Sequence, residues 1–352
     1  MSALHTRICD LLGVRYPIVQ TGMGWVSGAR LTAATSSAGG FGILAAATMT
    51  LDELTAAIDK VQARTQAPFG VNLRADQPDV DQVIALIIER GIKLASFAGA
   101  PRRALIDQLK AAGVLTMPTI GAPRHAVKMQ SWGVDAVIAQ GGEGGGHTGS
   151  IATSQLLPAV TASVDIPVLG AGGFSDGRGL VAALAYGADG IAMGTRFLLT
   201  QESQVPDNVK QIYLQTNLRG TVVTTAIDGY PQRVIRTDLI QGLERAGALS
   251  ALSRSIRHAL NFRRTIGACV GEFFREGLAM RRTQKLTWPQ LAMAANAPMM
   301  TRATMVEGRP EAGILPTGQV TGRIESLPTV EALLVSIMED AEQTLARLRG
   351  TT

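Results

Sequence analysis

Cysteine is almost missing from this chain. The 352 residues include only Cys9 and Cys269, far apart and without a CxxC partner or a histidine at metal-ligand spacing. That excludes a disulfide framework and a zinc site, and both thiols read as ordinary reduced cysteines of a cytoplasmic protein. Long apolar runs are missing as well. No stretch reaches the ~18 consecutive apolar residues of a membrane-spanning helix, and Met1–Asp10 lacks a basic-then-apolar leader pattern. The expectation is a cytosolic chain with no membrane partner. Charged residues are few, 17% against 46% hydrophobic, which excludes disorder and supports a large core.

The net charge of +5 is modest but uneven. Residues 204–312 hold 15 Lys/Arg against 8 Asp/Glu. A basic surplus confined to one segment suggests an anionic ligand approaching from that side. The segment has no basic–aromatic interleaving, zinc finger or other readout motif, so a nucleic-acid partner is not expected.

What the chain does have is regular alternation over its first two hundred residues or so. Short apolar runs fall at Tyr16–Thr21, Gly40–Ala46, Phe69–Leu73, Ile92–Phe97, Val114–Ile120, Ala136–Gln140, Ile166–Gly170 and Gly190–Met193. Amphipathic stretches lie between them: Leu51–Ala63, Val80–Arg90, Arg103–Ala112, Ala126–Trp132 and Leu180–Tyr186. Each repeats apolar residues with helical period, and Gly91, Gly113, Gly133 and Gly187 supply C-terminal stops. Strands apolar at consecutive positions are buried on both faces, as in a parallel sheet covered by helices. Eight such units predict an α/β chain with a closed (β/α)8 TIM barrel rather than an open doubly wound sheet. The predicted organisation is a barrel over 1–203, a helical substrate or lid domain over 204–312, and a segment over 313–352 that returns to the barrel through a helix at Val330–Leu348. Within the insertion, helices are predicted at Val209–Asn217, Asp238–Arg257, Ile266–Ala279 and Trp288–Ala295.

Reactive groups of a β/α barrel come from the loops at the C-terminal ends of its strands. The first strand ends in Gln20-Thr21-Gly22-Met23-Gly24, whose glycines would let a flat ring lie against bare backbone. Asn72 ends the third, able to donate and accept along a pyrimidine edge or a ribityl chain. After the sixth comes Gly141-Gly142-Glu143-Gly144-Gly145-Gly146-His147-Thr148-Gly149, six glycines in nine residues ending beside one of only four histidines. Ordering that loop costs much chain entropy, which close contact with a ligand would offset. Its histidine can move a proton near neutrality. The seventh strand runs into Gly170-Ala171-Gly172-Gly173-Phe174 and the eighth into Met193-Gly194-Thr195-Arg196-Phe197. Turns at those two strands form a recurrent phosphate site. A phosphate there and a flat polar ring near strands one, three and six fit FMN; a phosphosugar leaves the ring-facing glycines unexplained.

These motifs, with Pro17-Ile18-Val19 at the start and Gly313-Ile314-Leu315-Pro316-Thr317-Gly318-Gln319 near the end, resemble the nitronate monooxygenase (2-nitropropane dioxygenase) family over nearly the whole chain. That family includes FMN-dependent quinone reductases and an enoyl-acyl-carrier-protein reductase. The resemblance implies a barrel with a helical insertion after the last strand. It implies FMN on Gly22, Met23, Gly24, Asn72, Gln140, Gly145, Gly146, Gly172, Gly173, Gly194 and Thr195, with Thr119, Ala171 and Met193 on the same lining. His147 takes the catalytic acid/base position. Gln20 to Val26, the glycine loop and Leu286-Thr287-Trp288 resemble more closely a branch of bacterial steroid degradation that handles indane CoA thioesters. Gly144 replaces an alanine of typical nitronate oxidisers, and Thr119 a lysine of some quinone reducers.

The resulting expectation is hydride transfer to or from a carbon conjugated with a carbonyl, in an enone or a CoA thioester. The alternatives are oxidation of alkyl nitronates with O2, an NAD(P)H-dependent quinone or enoyl reductase, and a barrel that binds FMN without turnover. The assembly state is left open, a homodimer included.

Overall fold

The computed structural model describes residues 3–245 and 288–350. Eight parallel strands close into a barrel: β1 (Ile18–Gln20), β2 (Phe41–Ala45), β3 (Phe69–Leu73), β4 (Leu94–Phe97), β5 (Leu115–Ile120), β6 (Val137–Gln140), β8 (Val168–Ala171) and β9 (Gly190–Met193). β9 returns to β1 with Val19 opposite Ala192. The predicted barrel is therefore present, each strand within two residues of its expected ends. Between them run α2 (Ala29–Ser37), α3 (Leu51–Gln62), α4 (Val80–Glu89), α5 (Arg103–Ala111), α6 (Pro123–Ser131), α7 (Thr153–Thr161) and α8 (Gly177–Ala185), and α9 (Thr195–Leu198) follows β9. The stop glycines do what their position requires: Gly91, Gly113, Gly133 and Gly187 all have positive φ. α3 starts on a capping box between Thr50 and Glu53.

One apolar cluster fills the barrel interior, joining Val19, Phe41, Ile43, Leu94, Met117, Ile138, Leu169 and Ala192 to Ile8, Cys9 and Leu12 of α1 (Arg7–Leu12). α1 thus plugs the N-terminal end. It is tied there by Arg7, whose Nε and Nη2 donate to the Asp189 carboxylate at 2.8 and 2.9 Å. The other layer of core lies between strands and outer helices.

After β9 the chain forms α10 (Asp207–Gln215), β10 (Thr221–Thr224), β11 (Gln232–Ile235) and α11 (Asp238–Arg245), then α12 (Trp288–Met305) and α13 (Val330–Arg349). The β10–β11 hairpin is an addition to the sequence reading, which took 204–312 as mainly helical and placed no strand there. Its strands are four residues each, too short for a period-2 signal against the surrounding helical pattern. The helix expected at Ile266–Ala279, the end of the one at Asp238–Arg257, and Cys269 lie outside the described residues. α13 packs along α8 so closely that a Cβ on Gly177 would sit 2.2 Å from the Ala341 amide nitrogen. Among the described residues no helix is long and apolar enough to cross a membrane, and no group of three or more His, Cys, Asp or Glu could hold a metal.

Candidate active site

The turns after β1, β6, β8 and β9 that the sequence marks as functional sit at the C-terminal rim, opposite the plug. The 21–27 turn after β1 is closed by Ser27, whose Oγ accepts from Met23 N at 2.9 Å and donates to Thr21 O at 2.8 Å. The turn presses against β3 and β9. A Cβ on Gly22 would lie 2.2 Å from Asn72 Cβ, and one on Gly194 3.2 Å from Met23 Sδ. Asn72 is buried, with Nδ2 donating to Ser96 Oγ at 3.4 Å.

The glycine loop after β6 closes the opposite side. Gly141 N donates to Ala171 O at 2.9 Å, and Glu143 Oε2 accepts from the Thr153 amide and hydroxyl at 2.8 and 2.6 Å. Gln319 N donates to Glu143 O at 2.9 Å, and Gly318 N to Thr195 Oγ1 at 2.8 Å. The late 313–319 motif thereby joins the sixth-strand loop to the turn after β9. A Cβ on Gly145 would stand 2.5 Å from both Gly318 N and Thr317 C, so only glycine fits. Gly172 and Gly173 are both left-handed, with φ of 97° and 85°. Among the described residues the N–H groups of Gly173, Gly194 and Thr195 have no hydrogen-bond acceptor. They follow the neighbouring strands β8 and β9, and unpaired amides on such turns can serve as donors for an anionic oxygen.

His147 is held at the mouth by a second, small sheet. Gly146 and His147 form β7, which pairs antiparallel with β11, His147 opposite Gln232. Gln140 Nε2 donates to the His147 carbonyl at 2.8 Å, and Thr148 N to Pro231 O at 3.0 Å. With the backbone fixed, the imidazole reaches out: its side chain is 63% exposed, yet Nε2 lies 2.7 Å from Oδ2 of Asp228, whose side chain is 11% exposed. Tyr230 stands edge-on to the ring, centroids 6.0 Å apart. Burial works to raise the Asp228 pKa. The hydrogen bond and charge of His147, the Tyr230 amide and the Gln232 amide outweigh it and hold the carboxyl below its ordinary value. An ionised carboxylate against an exposed imidazole is an arrangement that can take up and release a proton.

A family model for nitronate monooxygenase matches residues 5–83 and 80–340, nearly the whole chain. The chain belongs to the nitronate monooxygenase family. It is accordingly an enzyme, an oxidoreductase of the flavin-dependent kind that the sequence resemblance implied. A Rhodococcus jostii protein named (3aS,4S,5R,7aS)-5-hydroxy-7a-methyl-1-oxo-octahydro-1H-indene-4-carboxyl-CoA dehydrogenase is 54% identical over 341 residues, 97% of each chain. Its namesake from Mycobacterium tuberculosis is 54% identical over 96% of each. Among solved structures, FabK from Thermotoga maritima matches with a TM-score of 0.81 at 32% identity, covering 99% of both chains.

Within this family member, the contacts above bring Gly22, Met23, Asn72, Gln140, Gly145, Gly146, Gly172, Gly173, Gly194 and Thr195 to one rim. Other residues assigned from the sequence stand differently. A Cβ on Gly24 would meet Thr48 Cγ2 at 2.9 Å. Ala171 belongs to the barrel interior, and Met193 turns its side chain into the outer core while its carbonyl accepts from Thr21 N at 3.1 Å. Thr119 lies near the end of β5, partly exposed. The sequence reading missed Asp228, Gln232 and Tyr230. A signal existed: Asp228-Gly229 lies between Thr221–Val223 and Val234–Ile235, an Asp-Gly turn between β-prone runs.

Proposed function

We propose that this enzyme is an FMN-dependent oxidoreductase that forms or saturates a carbon–carbon double bond conjugated with the carbonyl of a CoA thioester, with His147 exchanging the proton. The observation that carries the reading is the exposed imidazole, backed by a buried carboxylate, at the rim that also carries the unpaired amides. Those amides of Gly173, Gly194 and Thr195 fit the phosphate of FMN, and Asn72, packed against Gly22, would offer its side-chain amide to the ring. Bound there, FMN supplies a two-electron acceptor or donor of hydride.

A C–H next to a thioester carbonyl is acidic enough for an imidazole to remove its proton. In the dehydrogenating direction His147 takes that proton, the neighbouring carbon gives up hydride, and the electron pair left between them becomes the double bond. The barrel rim would hold substrate and flavin at fixed distances from the imidazole. The basic surplus of residues 204–312 suits the phosphates of CoA, and we assign that segment to the substrate side. The relatives named as dehydrogenases of an indane carboxyl-CoA support this substrate class.

The second reading, oxidation of alkyl nitronates with O2, follows from the family model, while Gly144 points away from it and Thr119 points away from quinone reduction. Mixing the purified protein anaerobically with an indane acyl-CoA should bleach its flavin absorbance, and propyl nitronate should not. The opposite pattern reverses the two readings, and a colourless protein that refuses FMN removes both. His147→Asn should keep the flavin and lose about 10²- to 10⁴-fold in turnover.

A further inference from the structure

We propose that Asp228 is the positioning residue for His147. It holds the imidazole as the Nε2–H tautomer, so that Nδ1 is the nitrogen that exchanges the proton with substrate. This rests on the acid/base reading of His147 and makes it atomically specific.

The argument begins with the donors around one oxygen. An ionised carboxylate only accepts hydrogen bonds. The 2.7 Å contact between Asp228 Oδ2 and His147 Nε2 therefore places a proton on Nε2. Gln232 Nε2 donates to the same Oδ2; turning that amide round would set its carbonyl oxygen against the carboxylate, so its NH2 group must face Asp228. Gln232 Nε2 is also 3.1 Å from His147 Nε2. These are two donors side by side, both aimed at the shared oxygen, and neither serves the other as acceptor. Tyr230 N donates to the second oxygen, Oδ1, at 3.1 Å. The carboxylate is thus pinned from both sides, and it sits on the hairpin turn rather than on the barrel.

The ring has little other freedom. Its backbone is paired with Gln232 across β7 and β11, and its carbonyl is taken by Gln140. Tyr230 stands at 79° to it on one side. Nδ1 has no hydrogen-bond partner among the described residues. A neutral imidazole carries one proton, so with Nε2 protonated, Nδ1 is the basic atom of this exposed side chain. The geometry follows the logic of a carboxylate that orients a catalytic histidine and fixes its tautomer.

The test does not depend on turnover alone. Nitrogen-15 NMR of the holoenzyme labelled in its histidine rings, with the His147 signals assigned by their loss in His147→Asn, should show the Nε2–H tautomer dominant in the neutral ring. In Asp228→Asn that preference should disappear, and kcat should fall about 10²- to 10⁴-fold with flavin content and KM little changed. A dominant Nδ1–H tautomer in the wild-type enzyme overturns the proposal, and this measurement stands even if Asp228→Asn does not fold. Full activity in Asp228→Asn, alongside a dead His147→Asn, removes the positioning role and leaves the acid/base role intact. Full activity in His147→Asn removes the acid/base role itself.

Discussion

At its N-terminal end the barrel is closed by side chains: Ile8, Cys9 and Leu12 of α1 reach into the interior cluster, and burial pushes the Cys9 thiol up so that it stays protonated. At its C-terminal end the same strands run into glycine-rich turns, where glycines 145 and 172 bring backbone against backbone and glycines 22 and 194 bring it against the side chains of Asn72 and Met23. One end therefore gains its free energy from apolar burial, which is non-directional and tolerates shape-conserving change. The other gives up that gain to expose amides and one imidazole in fixed places. Substitutions at the two ends should separate stability from turnover.

The largest effect is expected on activity at the rim. Gly145→Ala puts a methyl 2.5 Å from the backbone of Thr317 and Gly318, and no flexible side chain is there to give way. The 317–319 segment, which also binds Thr195 and Glu143, must move. A displacement on the order of 1 Å at a catalytic rim costs about 10²-fold. kcat/KM should drop by that factor, with retention of flavin reduced as well. A variant as active as the wild type would show that the 313–319 motif does not set the rim.

At the plug the effect should be thermodynamic. Leu12 is fully buried, and Leu12→Ala removes most of its side chain from the interior cluster, a change that costs about 2–5 kcal/mol. Denaturant unfolding should report that loss, while turnover per folded molecule and flavin content stay at the wild-type level. A comparable fall in kcat would mean that the two ends are coupled through the barrel.

The same contrast explains what could be read in advance. The eight strands were legible because a strand buried on both faces is apolar at every position, as in Phe41–Ala45, whose five residues are all buried. The rim glycines and His147 were legible because barrel architecture says which loop follows which strand. Asp228 was not. It lies 81 residues from His147 in sequence, on a hairpin whose Val223 is exposed and Val222 only half-buried, so neither strand has a clean apolar face. Periodicity reports local burial and is silent about which distant carboxylate meets an imidazole. Met193 is the converse case: its position in the strand-eight motif marks it as a lining residue, and strand alternation turns its side chain outward, which leaves its backbone at the rim.

A third substitution probes charge rather than packing, with the smallest expected effect. Asp176 caps α8, accepting from Gly179 N at 2.9 Å, and its Oδ2 pairs with Arg323 at 2.6 Å and Arg178 at 3.1 Å. Burial works to raise its pKa, but the cap bond and the two guanidinium groups prevail and hold it below the usual carboxylate value. A carboxyl whose folded pKa is depressed stabilises the fold above its unfolded pKa, about 3.9, and loses that contribution as pH falls through the folded value. Asn can also cap a helix, so Asp176→Asn removes mainly the charge, a matter of about 1 kcal/mol. The stability gap between wild type and variant should be full at neutral pH and shrink towards zero as the pH falls through and below about 3.9. Urea midpoints measured across that range would show it, and a gap that does not change with pH would mean that the ionised carboxylate is not what holds α8 at the rim.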